Sequence, residues 1–132
     1  MDLQLAGKKA LVTGSTAGIG FATANAFAAE GAAIVVNGRT QQRVDAAIAK
    51  IRKAHPKADV SGVASDVSNA PGCAKLTQAL PTVEILVNNM GIFKPKPFEQ
   101  IPDEDWFRFF EANVMSGVRL SRHYLTGMRE KN

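Results

Sequence analysis

The 132-residue sequence predicts an α/β fold in which helices flank a parallel sheet. Two observations carry that expectation. Short apolar runs alternate along the chain with longer segments of helical periodicity, the pattern of strands joined by crossover helices. The run Ala10-Leu11-Val12 also leads straight into Thr13-Gly14-Ser15-Thr16-Ala17-Gly18-Ile19-Gly20 and then an alanine-rich stretch, which reads as a glycine turn between a strand and a buried helix. Crossovers of this kind are right-handed, and with the turn placed after the first strand they predict the spatial strand order 3-2-1-4.

Strands are expected near residues 8–13, 33–37, 60–64 and 83–88. The first helix, Ile19 to Glu30, carries Phe21 and Phe27 among its alanines and stops at Gly31. Thr40 can cap the second, whose inward stripe is Val44, Ala47, Ile48, Ile51 and Ala54, and His55-Pro56 ends it. A shorter helix from Gly72 to Leu80 closes at Pro81. Prolines in Phe93-Lys94-Pro95-Lys96-Pro97-Phe98 keep that segment extended, either as a plain connection or as a loop beside a ligand. Pro102 then suits the first turn of one long helix over residues 103–131, with Asp103, Glu104 and Asp105 at its positive end. Trp106, Phe110, Asn113, Gly117, Leu120 and Tyr124 share one face of it, beside Phe107, Val114, Val118 and Leu125. So wide an apolar band implies core or interface on more than one side.

The length suits one domain, residues 1–132, with room for a core. A net charge of +4 with basic and acidic residues interspersed speaks for solubility and attraction to small anionic ligands, and against a nucleic-acid binder. Cys73 is alone, which excludes an internal disulfide and a cysteine metal pair, and His55 and His123 are isolated. No segment has the length to span a membrane, and the first residues lack a leader pattern, so a cytoplasmic location is expected.

The chemistry gathers where the strands end. Gly14, Gly18 and Gly20 let the turn fold sharply and leave room for a pyrophosphate against the helix N-terminus, although a glycine turn can also be purely structural. After the second strand, Asn37-Gly38-Arg39-Thr40 occupies the place where a dinucleotide fold reads the adenosine ribose. Arg39 without a neighbouring acid suits a 2′-phosphate and hence NADP(H), with NAD(H) possible; its alternative is an exposed arginine at a helix start. Asp66-Val67 follows the third strand, where Asp66 either accepts from an adenine amino group or simply leads a helix. Asn88-Asn89-Met90-Gly91 closes the fourth, with asparagines able to tie loops together and a glycine that allows close backbone approach. Asn113, expected to be buried, is either a structural bridge or part of a polar relay.

Together these residues resemble the short-chain dehydrogenase/reductase family. Thr13-Gly14, Gly18-Ile19-Gly20, Asp66, Asn88-Asn89-Met90-Gly91 and Asn113 match its cofactor motif, its adenine-contacting Asp, its Asn-Asn-Ala-Gly motif with Met at the third place, and its tetrad Asn. The resemblance implies a Rossmann-type fold in which Gly14, Ser15, Thr16, Gly18, Ile19 and Gly20 hold phosphates. It further implies that Asn37, Arg39, Thr40, Asp66, Val67 and Asn88 to Gly91 hold the rest of the cofactor, that Met90 adds bulk near the nicotinamide ribose, and that Asn113 supports a proton relay. The family's Ser and Tyr-x-x-x-Lys have no counterpart here: Tyr124 is the single tyrosine, four residues before Met128. The chain thus resembles the N-terminal, cofactor-binding half of a subunit, truncated relative to the whole and expected to be inactive alone. It implies an alcohol or carbonyl substrate for the full-length parent, and a homo-oligomer. The alternative is a non-catalytic nucleotide-binding or interaction module made as a short chain.

Overall fold

The computed structural model describes residues 1–131. Strands β1 (Lys9–Val12), β2 (Ala33–Gly38), β3 (Val60–Ala64) and β4 (Ile85–Val87) form one parallel sheet in the order β3-β2-β1-β4, as the crossover rule requires. Helices α1 (Gly18–Ala29), α2 (Gln41–Ala54) and α3 (Ala70–Ala79) make the crossovers.

Side chains alternate across the pleat, so each strand feeds two cores. Ala10, Val12, Ile34 and Val36 point to one face, where Ala24, Ala28, Val44, Ala47 and Ile51 of α1 and α2 cover them. Leu11 and Val35 point to the other and meet Cys73, Leu76, Leu80, Leu120 and Tyr124. Helix starts follow their caps. Thr40 Oγ1 accepts from Arg43 N at 3.3 Å, and Asn69 Oδ1 accepts from Gly72 N at 2.8 Å, which starts α3 two residues before the expected Gly72. Gly31, at φ +80°, supplies the left-handed residue that stops α1.

Strand β4 is shorter than the apolar run that announces it. Glu84 leaves the ladder to accept Lys9 N on its carboxylate at 2.8 Å, while its own N–H donates to Lys9 O at 2.9 Å. Among the described residues, β4 pairs only with β1, so its outer edge is open.

The expected long helix is divided in three: α4 (Asp103–Phe110), a π-helical turn (Glu111–Met115) and α5 (Ser116–Glu130). A π-turn inserts one residue into a helical turn and rotates all later residues about the axis. Ser116, buried, donates its hydroxyl back to Ala112 O within this turn at 2.7 Å. The apolar band divides with it. Leu120 and Tyr124 are buried, whereas Trp106, Phe107, Phe110, Val114, Val118 and Leu125 are exposed. Asn113 is exposed as well, contrary to the burial expected from an unbroken helix face. Between β4 and α4 the Phe93–Phe98 segment is held to α4, by Lys96 Nζ at 2.9 Å from Asp105 Oδ2 and by Phe98 packed edge-on to Trp106 at 5.9 Å. A 3-10 turn at Phe98–Gln100, with no signal in the sequence, completes the approach to α4.

Two positions offer sharp tests of this packing. Helix α2 sits so close on β3 that a Cβ at Gly62 would collide with the Val44 side chain and crowd Ile48 and the Val36 carbonyl. Gly62→Ala is expected to cost about 1–3 kcal/mol in chemical denaturation, and a midpoint equal to wild type would contradict it. Tyr124 donates its hydroxyl to Leu80 O at 2.6 Å across the α5–α3 contact, and burial pushes its pKa from 10 up to about 12. The neutral phenol is therefore the form that stabilises the fold. That contribution is complete below pH 10 and is lost as pH rises towards 12. Since this is the single tyrosine, tyrosinate absorbance should appear near pH 12 in the folded protein and near pH 10 in denaturant; coincident titrations would refute the burial effect.

Candidate functional site

The carboxyl ends of four parallel strands open on one side of the sheet, and the loops that leave them enclose a cleft of about 510 Å³. Gly14, Thr16, Asn37, Arg39, Asp66, Val67, Asn89, Met90 and Gly91, all singled out from the sequence, line it. Gly38, within the segment expected to read the ribose, lines it as well, and Arg43, Ser65, Ser68, Ile92, Arg108, Glu111 and Ala112 line it too and were missed. Arg43 was within reach of sequence reasoning, because it lies in the first turn of the helix that Thr40 caps, one turn beyond Arg39. Arg108 and Glu111 were not, since their placement depends on how α4 returns over the cleft.

The glycine turn is shaped by backbone. Gly14 and Gly18 have φ +60° and +58°, a region that side chains disfavour. At Gly20 the constraint is space, because a Cβ would overlap the Gly14 carbonyl and the Asn89 side chain. The residue preceding α1, Ala17, offers no side-chain cap, and the helix has no acid in its first turn. Its leading N–H groups therefore lack an internal partner and face the turn, an arrangement that favours an anion. Ile19 projects into solvent beside them, 80% exposed.

Two expected cofactor contacts are bound into the scaffold. Ser15 is wholly buried: its N–H donates to Asn37 O at 2.8 Å, its hydroxyl donates to Val12 O at 2.7 Å and accepts from Asn37 N at 2.9 Å. No donor of Ser15 is left for a phosphate. Asn37, 1% exposed, accepts from Gly14 N on its side chain at 3.2 Å and donates Nδ2 to the Val63 and Ser65 carbonyls at 3.1 and 3.2 Å. Ser15 thereby departs from the expectation, whereas Asn37 is held in the same way yet still lines the cleft; buried polar atoms must be paired, and these pair with one another and with the turn. Thr40 likewise spends its hydroxyl on capping and stays outside the cleft.

Asparagines after β4 tie the loops together as anticipated. Asn89 Nδ2 donates to the Thr13 and Gly14 carbonyls at 3.1 and 3.2 Å, and the Thr13 hydroxyl accepts from the N–H groups of Asn89 and Met90, each at 3.0 Å. Asn88, exposed and outside the cleft, donates to Ser121 Oγ on α5 at 3.1 Å. Met90 packs against the second core beside Leu86 and Val63, which turns part of its bulk away from the cleft. Gly91 passes close to Asn113, where a Cβ would lie 3.3 Å from Oδ1. Asn113 itself accepts from Ile92 N at 2.6 Å and donates to Ile92 O at 3.1 Å, a two-point clamp from the π-turn onto the cleft wall. These are the contacts of a structural bridge, one of the two roles expected for it. Asp66 accepts from Ser68 N at 3.1 Å, which fixes its carboxylate at the cleft.

Tyr124 lies away from the cleft, with its hydroxyl engaged by the Leu80 carbonyl. Among the described residues no cluster of three or more His, Cys, Asp or Glu is placed to hold a metal. No described helix is long and apolar enough to cross a membrane.

This geometry accords with the comparisons. The family model described as short chain dehydrogenase matches residues 8–132. The chain is 53% identical over 131 residues to the uncharacterized oxidoreductase YvaG of Bacillus subtilis, covering 99% of this chain and 50% of that protein. It is 39% identical over 132 residues to a D-beta-hydroxybutyrate dehydrogenase of Cupriavidus necator, covering 97% of this chain and 50% of the relative. Among solved structures, L-sorbose reductase from Gluconobacter frateurii, complexed with NADPH and L-sorbose, superposes with a TM-score of 0.90 at 36% identity, over 99% of this chain and 51% of that one. The chain thus spans about half the length of the relatives it matches. Its motifs, strand order and cleft agree with that match, and the chain belongs to the short-chain dehydrogenase family.

Proposed function

We propose that this chain is the NADP(H)-binding portion of an oxidoreductase that moves hydride between nicotinamide and an alcohol or carbonyl substrate. The observation that carries the cofactor reading is the pair Arg39 and Arg43 at the cleft, beside an uncapped helix start, with no acid at Asn37 or Gly38. An arginine there pairs with a 2′-phosphate, whereas an acid would repel it. The NADPH in the L-sorbose reductase complex supports the same reading. Backbone N–H groups of Gly18 and Ile19 would meet the pyrophosphate, and the Asp66 carboxylate would accept from the adenine amino group. Met90 and Gly91 form the wall towards the nicotinamide.

When bound, the cofactor supplies the hydride. This chain's residues orient it and hold the cleft wall. Asn113 fixes the Ile92 peptide through both of its polar groups and so holds in place the wall beside which a proton relay would run. A phenolic proton donor is not among them, because the single tyrosine is committed to Leu80.

We further propose that the protein works as a homo-oligomer. The exposed apolar residues Trp106, Phe107 and Phe110 on α4 support this, since a cluster of large apolar side chains on one helix marks an interaction surface, and the open β4 edge offers a further row of unpaired backbone groups.

Calorimetric titration of the full chain with NADPH and NADH tests the cofactor reading. A charge-assisted hydrogen bond contributes about 1.5–3 kcal/mol, so NADPH should bind at least about tenfold more tightly, and Arg39→Ala should abolish most of the difference. Equal affinities in the wild type would refute it. Sedimentation across a concentration range addresses assembly: a compact monomer throughout would overturn the oligomer.

A further inference from the structure

Glu111 opens the π-turn and Arg119 lies in α5, eight residues on, with Nη1 2.7 Å from Oε1. In an unbroken α-helix residues eight apart sit about 80° out of line, at about 100° per residue. The extra residue of a π-turn takes back roughly one such step and leaves the two side chains within about 20° of alignment. The contact is thus available only while the π-turn persists.

Its surroundings strengthen it. The Arg119 side chain is only 21% exposed, Nη1 is fully buried, and its contact with Glu111 is ionic rather than a well-aligned hydrogen bond. The Glu111 carboxylate raises the Arg119 pKa; burial raises that of the Cys73 thiol on α3, and the positive charge of Arg119 opposes this by favouring the thiolate. One cation therefore ties α5 to the first residue of the π-turn, and removing it would leave Glu111 without its partner. Two residues past Glu111 stands Asn113, clamped to Ile92 on the cleft wall.

We propose that the Glu111–Arg119 ion pair is a positioning device: it holds the helix in π register, and through that register it sets Asn113 against the Ile92 peptide. Glu111 lines the cleft and Arg119 stands behind it, so the role assigned to the pair is to act through Asn113. The significance for turnover rests on the proposed function, but the positioning itself does not.

Amide hydrogen exchange on the full chain without cofactor tests it, because Ile92 N–H is the donor that Asn113 receives. Arg119→Met keeps the length of the side chain and removes its charge. It should speed exchange at Ile92 at least about tenfold while Leu11 at the sheet centre stays unchanged, and Arg119→Lys should restore much of the protection. The exchanged pair Glu111→Arg with Arg119→Glu should also restore it. Unchanged exchange at Ile92 in Arg119→Met would overturn the proposal. So would loss of protection at Ile92 and Leu11 together, or failure of both rescuing variants, since either would mark a general structural role. A failed NADPH titration alongside the expected exchange pattern would reject the cofactor reading alone.

Discussion

The close approach of two backbones at the carboxyl ends of β1 and β4 is the constraint on which the site depends. The glycine turn can lie against the Asn89–Met90 peptide only because Gly14 and Gly20 present no side chains to it. Once the backbones are that near, their polar groups must be paired, and the Thr13 hydroxyl and Asn89 amide do so from opposite sides. The start of α1, the floor of the cleft and the wall after β4 are all set by this junction.

Around it, buried and exposed polar groups divide the work. Asn37 and Ser15 are sealed in and spend every bond on the scaffold, whereas Arg39, Arg43 and Asp66 keep charge at the cleft. The same separation appears in the asparagines. Asn89 and Asn113 each join two chain segments that no secondary structure connects, and Asn88 reaches a third on α5. Binding capacity is thus carried by charged side chains and free backbone N–H groups mounted on a frame of neutral amides and hydroxyls.

Strand order, the glycine turn and the cap at Thr40 were open to sequence reasoning because they depend on local chemistry and on handedness, whereas the cap at Asn69 was passed over and the start of α3 was placed two residues late. The match of the chain to its family and the arrangement of Asp66, Asn89 and Gly91 at one cleft were legible in the same way. The features that escaped were tertiary. Ser15 and Asn37 brace the turn because of a mutual burial that no spacing reveals. The π-turn also escaped, since a helical stripe drawn at a constant period cannot register one added residue, and it therefore placed Asn113 on a buried face. Arg108 and Glu111 reach the cleft only through that return of the chain.

The bonds between Ser15 and Asn37 have a kinetic side. Because the turn after β1 and the end of β2 exchange hydrogen bonds through buried atoms, they form a single stiff unit before any ligand arrives. The entropy of ordering the phosphate cradle is met when the chain folds, not when a nucleotide binds. Encounter then requires no loop closure at this end of the cleft, and differences in affinity between related nucleotides fall mainly on how long each one stays.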